Sequence, residues 1–214
     1  MSSAELTGEA GAYDEHISDP AKPVPFIDWI EVGLTANYMV TDQRFASRCS
    51  DVLVYQTEIL ERELRLAGPI EVDLRLSTTG TDSDRIVKII DDYPDDYLDP
   101  TENSTKICIG GGQRLIRGDV MRGKFHDSLE QPEPFHLGEP TRIRVKLLDI
   151  CNAFRPGHRL MIQSQSTLFP LVDRSPQTFV DIHKAQAVDF QKATQRVYLS
   201  GPDASKVVVR VISE

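Results

Sequence analysis

The chain has 214 residues, which is long enough for one domain with a full core and short for two. Its 24 basic and 33 acidic residues give a net charge of -9, so nucleic acid, whose phosphates attract Lys and Arg, is not an expected partner. No apolar run approaches the roughly 18 residues of a membrane-spanning helix, so the sequence predicts no membrane partner either.

The cysteines predict neither a metal site nor a disulfide framework. Cys49, Cys108 and Cys151 are widely spaced, odd in number and include no CxxC pair. We expect no cofactor. The N-terminal sequence MSSAELTGEAGAYDEH is acidic and lacks the basic and then apolar regions of a secretory signal, so no export signal is expected there and the cellular location stays open.

Residues 1–25 are predicted to be a flexible arm or linker. Nothing before about residue 13 favours packing, and DPAKPVP at residues 19–25 contains three prolines, which favour an extended connector. We therefore expect one folded domain over residues 26–214.

The first strand pattern after the connector is VLVYQT at residues 52–57. It leads into TEILERELRLAG at residues 57–68, where Leu60, Leu64 and the closing Gly68 suit a short helix or an irregular turn. This is the only segment of the sequence with a helical pattern.

Two later segments alternate apolar and polar residues, the period of a strand with one solvated face. They are IEVDLRLS at residues 70–77 and RIRVKLLD at residues 142–149. The residues predicted to face inward are Ile70, Val72, Leu74, Leu76, Ile143, Val145 and Leu147.

Further strand patterns are RIVKIID at residues 85–91, HRLMIQSQS at 158–166, RVYL at 196–199 and VVVRVIS at 207–213. Short strands separated by Gly, Pro, Asp and Ser clusters predict an all-β fold, an antiparallel β-sandwich or jelly roll.

The segment GDVMRGKF at residues 118–125 is one residue short of a phosphate-binding loop, G-x-x-x-x-G-K-[ST]. Phe125 occupies the position of the hydroxyl that would hold magnesium, and HDSLEQPEPF after it has no helical period to supply a helix N-terminus. A tight β-connection using Gly118 and Gly123 is the favoured interpretation.

The sequence offers no recognisable catalytic nucleophile, since it contains no G-x-S-x-G pentapeptide. None of the five histidines lies in a triad context, and His158 is interpreted as a structural residue that binds backbone. The acidic run DDYPDDYLD at residues 91–99 has oxygen ligands for calcium but no EF-hand order, so a solvated loop is favoured.

Seven sequence blocks spread over nearly the whole chain are recognisable when they are taken together. They are DPAKPVPF (19–26), DQRF (42–45), DVLVYQTE (51–58), LAGPIEVDLRLSTTGTDSDRIVKIID (66–91), LIRGDVMRGKF (115–125), FRPGHRLMIQSQSTLFPLVDRSPQTF (154–179) and DFQKATQRVYLS (189–200). In this order they resemble one family, the C-terminal domain of the CocE/NonD serine hydrolases, also called the X-prolyl dipeptidyl-peptidase C-terminal domain. Within it, DQRF, RGKF and DRSPQTF are most similar to α-amino acid ester hydrolases and glutaryl-type cephalosporin acylases.

The resemblance implies a jelly-roll β-sandwich of the galactose-binding type. It also implies a parent enzyme that hydrolyses ester or amide bonds with a triad on an α/β-hydrolase domain absent from this chain. No catalytic residue is therefore assigned here, and we expect the chain by itself to be inactive. Candidate pocket-wall or interdomain contacts are Phe26, Trp29, Tyr38, Arg117 and Arg122.

The expected partner is the α/β-hydrolase domain, in cis or in trans, and an apolar docking face predicts self-association of the chain alone. An alternative function is a stand-alone module that binds carbohydrate or another ligand, because jelly rolls also act in this way. The substrate of the parent enzyme and calcium binding are left open by the sequence.

Overall fold

The computed structural model describes residues 12–102, 107–201 and 204–212. Nine antiparallel strands form two sheets within these ranges. Their bounds are β1 Tyr13–Ser18, β2 Leu53–Gln56, β3 Leu64–Thr78, β4 Arg85–Asp92, β5 Gln113–Met121, β6 Thr141–Phe154, β7 Arg159–Gln165, β8 Ala193–Tyr198 and β9 Lys206–Val208. The predicted all-β sandwich is confirmed, while the jelly-roll and galactose-binding labels stay predictions.

The helices in the described ranges are short. Helix α1 spans Arg44–Ser47, and four 3₁₀ segments span Ala36–Val40, Gly123–Phe125, Ile182–Lys184 and Ala187–Asp189. None of these helices has the length and apolar character needed to cross a membrane.

One sheet has the strand order β1-β8-β3-β6, with β9 pairing a further part of β3. The other has the order β2-β7-β4-β5. The long strands β3 and β6 pair along most of their length, with a bulge between Gly68 and Ile70. The two sheets pack face to face, which is the arrangement of a β-sandwich.

The main core lies between the two sheets. All seven side chains predicted to face inward from β3 and β6 are buried, and Val87 and Ile89 of β4 meet them from the other sheet. Arg142, Arg144 and Lys146 alternate with them on β6 and are exposed. The alternation in the sequence therefore predicted both the strands and their orientation.

Strand β4 is covered on both faces. Ile86 and Lys88 alternate with the core residues, so they face away from the other sheet, and both are buried. Residues 24–46, here called the covering segment, lie over them. Ile86 packs in a second apolar cluster with Phe26, and the Lys88 ammonium donates to Gln43 Oε1 at 2.9 Å.

The structure differs from the expected arm over residues 1–25. Residues 1–11 lie outside the described ranges, but Tyr13–Ser18 form β1, which pairs with β8 along six residues. The side chains of β1 that turn inward are polar, His16 and Ser18, so the strand carries no apolar alternation. That explains why a hydrophobic pattern did not predict it.

The segment at residues 57–68 contains no helix. Residues 57–63 are irregular and Leu64 already belongs to β3. Leu60 binds the turn before β7, because its N–H donates to the His158 carbonyl at 2.9 Å and its carbonyl accepts from Gly157 at 2.8 Å. The irregular-turn alternative therefore applies, since these cross-chain bonds replace those of a helix.

Candidate domain-docking surface

The start of the covering segment is fixed to the sandwich by backbone and apolar contacts. Phe26 N–H donates to the Phe169 carbonyl, and Phe169 N–H donates to the Val24 carbonyl, both at 3.0 Å. Phe26 and Ile27 are buried, and the Phe26 ring lies 5.8 Å from that of Tyr38. These contacts fix both ends of the stretch between residues 27 and 38.

The outer side of residues 29–40, here called the docking segment, is apolar and exposed. Ile30 and Val32 are exposed at 100% and 97% of their surface, so neither contributes to the core of this chain. A single exposed apolar side chain is ordinary, but a contiguous group marks a contact surface. The exposed apolar members are Trp29, Ile30, Val32, Leu34, Met39 and Val40.

Local polar contacts shape the docking segment. Gly33 has φ of +89°, a conformation that favours glycine, and it turns the chain between Val32 and Leu34. The Thr35 hydroxyl accepts from Asn37 N–H at 3.3 Å, which caps the short 3₁₀ turn after it. The Trp29 indole donates to Glu31 at 3.1 Å. The apolar side chains therefore project from an ordered loop.

The aromatic residues singled out from the sequence occupy two different depths. Phe26 is buried and Tyr38 is half-buried, so this pair supports the docking segment from beneath. Trp29 is 39% exposed on the outer side. Of the three, Trp29 presents the most surface to a partner.

Arg117 and Arg122 are not brought together. Arg117 lies in β5 and donates to the Asp149 carbonyl of β6 at 2.9 Å, which links the edges of the two sheets. Arg122 follows β5 and lies 3.9 Å from the largely exposed Asp173 carboxylate. Their predicted role in binding interdomain carboxylates stays a prediction.

A buried group of charged residues that the sequence analysis missed lies at the start of β4. Burial raises the pKa of the Asp84 carboxyl to about 7, although the nearby Arg122 guanidinium acts to lower it. Burial also lowers the pKa of the fully enclosed Arg85 guanidinium to about 10, and this group donates to Gln195 of the other sheet. The sequence signal that could have indicated this buried group is the cluster of charged residues in TDSDR (81–85), directly before an apolar segment.

The GKF end of the phosphate-loop-like segment packs against this charged group. Asp82 Oδ1 accepts from Ser83 N–H at 2.8 Å and from Lys124 N–H at 3.0 Å. A Cβ on Gly123 would lie 2.0 Å from the Ser83 carbonyl oxygen. Gly123 is therefore required for close packing. Neither it nor Gly118 has a positive φ. Gly123 opens the 3₁₀ turn after β5, as a tight connection requires, whereas Gly118 lies within β5 and serves no turn.

The histidines and acids occupy structural positions. The His158 side chain bonds the buried Asp91 carboxylate at 2.8 Å, where the sequence analysis expected a backbone partner. Within the described ranges, ligand atoms of His126, Asp127 and Glu133 lie within 4.8 Å of one another, close enough to share a cation. However, His126 stacks on Phe135 and its Nδ1 bonds the Gly123 carbonyl, which gives it a role in packing.

The comparisons with known proteins agree with this architecture. Residues 12–208 match the family described as the X-Pro dipeptidyl-peptidase C-terminal non-catalytic domain. The cocaine esterase of Rhodococcus sp. (strain MB1 Bresler) is 28% identical over 210 residues, which are 98% of this chain and 34% of the esterase.

Two solved structures are similar at higher identity. An aminopeptidase from a marine sediment Thaumarchaeota archaeon is 38% identical, with a TM-score of 0.89 over 98% of this chain and 34% of that one. An α-amino acid ester hydrolase is 40% identical, with a TM-score of 0.88 over 97% of this chain and 33% of that one. A CocE/NonD family hydrolase from Staphylococcus aureus, 13% identical with a TM-score of 0.56, shares the fold.

The chain spans about a third of the length of these relatives, so in each of them the domain belongs to a longer polypeptide. The family match covers most of the chain, and it confirms the resemblance carried by the sequence blocks. The chain belongs to the X-Pro dipeptidyl-peptidase C-terminal non-catalytic domain family, the C-terminal domain of CocE/NonD-type hydrolases.

Proposed function

We propose that this domain docks through residues 29–40 on the α/β-hydrolase domain of a serine hydrolase that cleaves ester or amide bonds. The observation that carries the proposal is the group of exposed apolar side chains in the docking segment, supported by buried Phe26 and half-buried Tyr38. Burying an Ile or Val side chain contributes about 1.5–3 kcal/mol, so Ile30 and Val32 alone supply a large part of a domain contact.

The described part of the chain supports a non-catalytic role. The Asp91–His158 pair has the arrangement of the Asp–His half of a triad, but the cavity beside it is lined by no serine or cysteine among the described residues. Acyl transfer by such a pair requires a nucleophile within hydrogen-bond reach of the histidine. The chemistry of the parent enzyme is accordingly assigned to its other domain.

Binding in trans tests the docking proposal. The α-amino acid ester hydrolase relative, prepared without its own copy of this domain, is titrated with the 214-residue chain by calorimetry. We expect saturable binding that is lost in the double variant Ile30→Glu/Val32→Glu. The matched control is Leu129→Glu/Leu148→Glu, which places the same two charges at exposed apolar residues outside the docking segment. Equal binding by Ile30→Glu/Val32→Glu would refute the docking surface.

Covalent labelling tests the non-catalytic assignment separately. The chain alone is incubated with a fluorophosphonate probe, which reacts with activated serines. We expect no labelling above a heat-denatured sample. Labelling of any serine in the folded chain would contradict the assignment while leaving the docking experiment unaffected.

A second candidate function, a stand-alone ligand-binding module, is favoured by a cavity of about 250 Å³ with hydroxyl and amide side chains in its wall. Its polar members include Thr79, Thr81, Gln177 and Gln191, groups suited to sugar hydroxyls. Retention on a polysaccharide column would support this function. Flow-through both with calcium and with a chelator would count against it.

A further inference from the structure

A second cavity, of about 170 Å³, lies at the C-terminal end of β4. Its wall is formed by Asp91 of β4, Arg114 of β5, Asn152 at the end of β6, and His158 in the turn before β7. The cavity is about as large as the roughly 150 Å³ engineered cavity that admits benzene. Nothing in the docking proposal uses this site.

A buried Asp–His pair forms the floor of the cavity. His158 Nδ1 and Asp91 Oδ1 are 2.8 Å apart, and both side chains are almost fully buried. The rings of Tyr93 and Tyr97 lie 4.5 and 5.4 Å from the imidazole centroid and hold it in one orientation. Because the carboxylate fixes the proton on Nδ1, the Nε2 atom is left for another partner.

Two polar atoms of the wall lack a hydrogen-bond partner among the described residues. They are His158 Nε2 and Asn152 Nδ2, and both are shielded from solvent. Buried polar groups are hydrogen-bonded in the great majority of structures, so two unpaired atoms on one small cavity point to a ligand that pairs with them.

The charge around the cavity favours an anion. Arg114 and Arg155 both contribute to the wall, and Arg155 also donates to the Tyr97 hydroxyl at 3.4 Å. The single carboxylate of the wall, Asp91, is already engaged by His158. The Asp91 carboxylate interacts electrostatically with both arginines, but the two guanidinium groups leave the wall positively charged, and the guanidinium fork matches the geometry of a carboxylate.

We propose that this cavity binds a small hydroxycarboxylate anion such as lactate. Arg114 and Arg155 supply the charge that recognises the carboxylate, and Asn152 Nδ2 donates to a carboxylate oxygen. His158 Nε2, whose ring proton lies on Nδ1, accepts a hydrogen bond from the hydroxyl of the ligand. The site lies at the other end of β4 from Ile86, and Arg114 of its wall pairs with Asp42 near the end of the covering segment.

The test follows the side-chain NMR signals of His158 in the isotopically labelled chain. Lactate is titrated at constant ionic strength, and lactamide, which has the same hydroxyl and a similar size but no charge, is titrated in parallel. We expect a saturable shift with lactate and none with lactamide. Arg155→Gln should weaken lactate binding by about tenfold or more, because one charge-assisted hydrogen bond is lost.

The matched control is Arg48→Gln, which removes the same charge from an exposed position at the end of α1, outside the cavity wall. Arg155 is itself exposed, so its variant is expected to keep the melting temperature of the parent chain. Three results would overturn the site. They are no saturable shift with lactate, an equal shift with lactamide, and equal weakening by Arg48→Gln.

Discussion

Gly123 lies against the carbonyl of Ser83 and the ring of Phe135, which leave no room for a side chain at this position. This contact joins the connection after β5 to the residues that precede β4. Gly123 of RGKF is thus required by close packing against the Ser83 carbonyl oxygen. The resemblance of the segment to a phosphate-binding loop is coincidental. No helix of the described residues follows Phe125 directly to complete such a loop.

The Gly123→Ala variant should be destabilised by about 1–3 kcal/mol, the usual cost of overpacking a close contact. Its Cβ would lie 2.0 Å from backbone that cannot move freely. Gly118→Ala is the matched control, because the nearest atom to its Cβ would be Lys88 Cγ at 3.2 Å, a contact relieved by a shift of a few tenths of an ångström. Urea unfolding measures both variants. An equal loss of stability in the two would contradict this explanation.

Asp84 should make folding stability depend on pH. Its pKa rises from the ordinary 3.8 to about 7 in the fold, because burial disfavours the carboxylate. The folded state thus holds the proton more tightly than the unfolded state, and this group's contribution to stability is lost as pH rises from the lower value to the higher one.

Substitution Asp84→Asn removes this dependence. The variant should gain stability relative to the parent chain as pH rises between these two values, by up to a few kcal/mol at the upper end. Denaturant melts of both proteins at a series of pH values measure the difference. A difference that stays constant across the range would show that Asp84 ionises normally.

At the scale of elements, the strands that the sequence predicts best are those with one solvated face. Strands β3 and β6 alternate apolar and charged residues, and their inward residues are all buried. Strand β1 has no such pattern because His16 and Ser18 take its buried positions. Burial of a polar residue depends on distant partners, which a local pattern does not contain.

The candidate functional site was likewise predictable from the sequence only in part. The sequence pointed to residues between PVPF and DQRF through family resemblance, but it did not separate Phe26, which is buried, from Trp29, which is exposed. That difference is set by contacts with Ile86 and Leu168, far away in the chain. The cavity around His158 is formed by residues of β4, β5 and β6, which are far apart in the chain, so no local sequence motif indicates it.

The docking segment and its support should respond differently to substitution. Phe26→Ala should cost about 3–5 kcal/mol, the usual loss for a buried aromatic residue. Ile30→Glu should change the stability of the isolated chain by no more than about 0.5 kcal/mol, because its side chain is fully exposed. Chemical denaturation compares the two. A large loss in Ile30→Glu would mean that the segment packs within its own chain.

At the scale of the whole molecule, the docking segment predicts self-association of the isolated chain. An apolar surface without its partner tends to find a second copy. Light scattering at increasing concentration should show a rising mass for the parent chain and a constant monomer mass for Ile30→Glu/Val32→Glu. A strictly monomeric parent chain at high concentration would count against the docking surface.

The pairing of β1 with β8 also determines where the protein can be divided. Six residues of β1 cover the backbone of β8, which meets β3 on its other side. A version of the chain that begins at residue 26 would keep every residue of the predicted domain. It would lack β1, however, and β8 would become an unpaired edge strand. Exposed edges recruit other strands, so such a version should precipitate on expression, whereas one that begins at residue 12 should remain in solution.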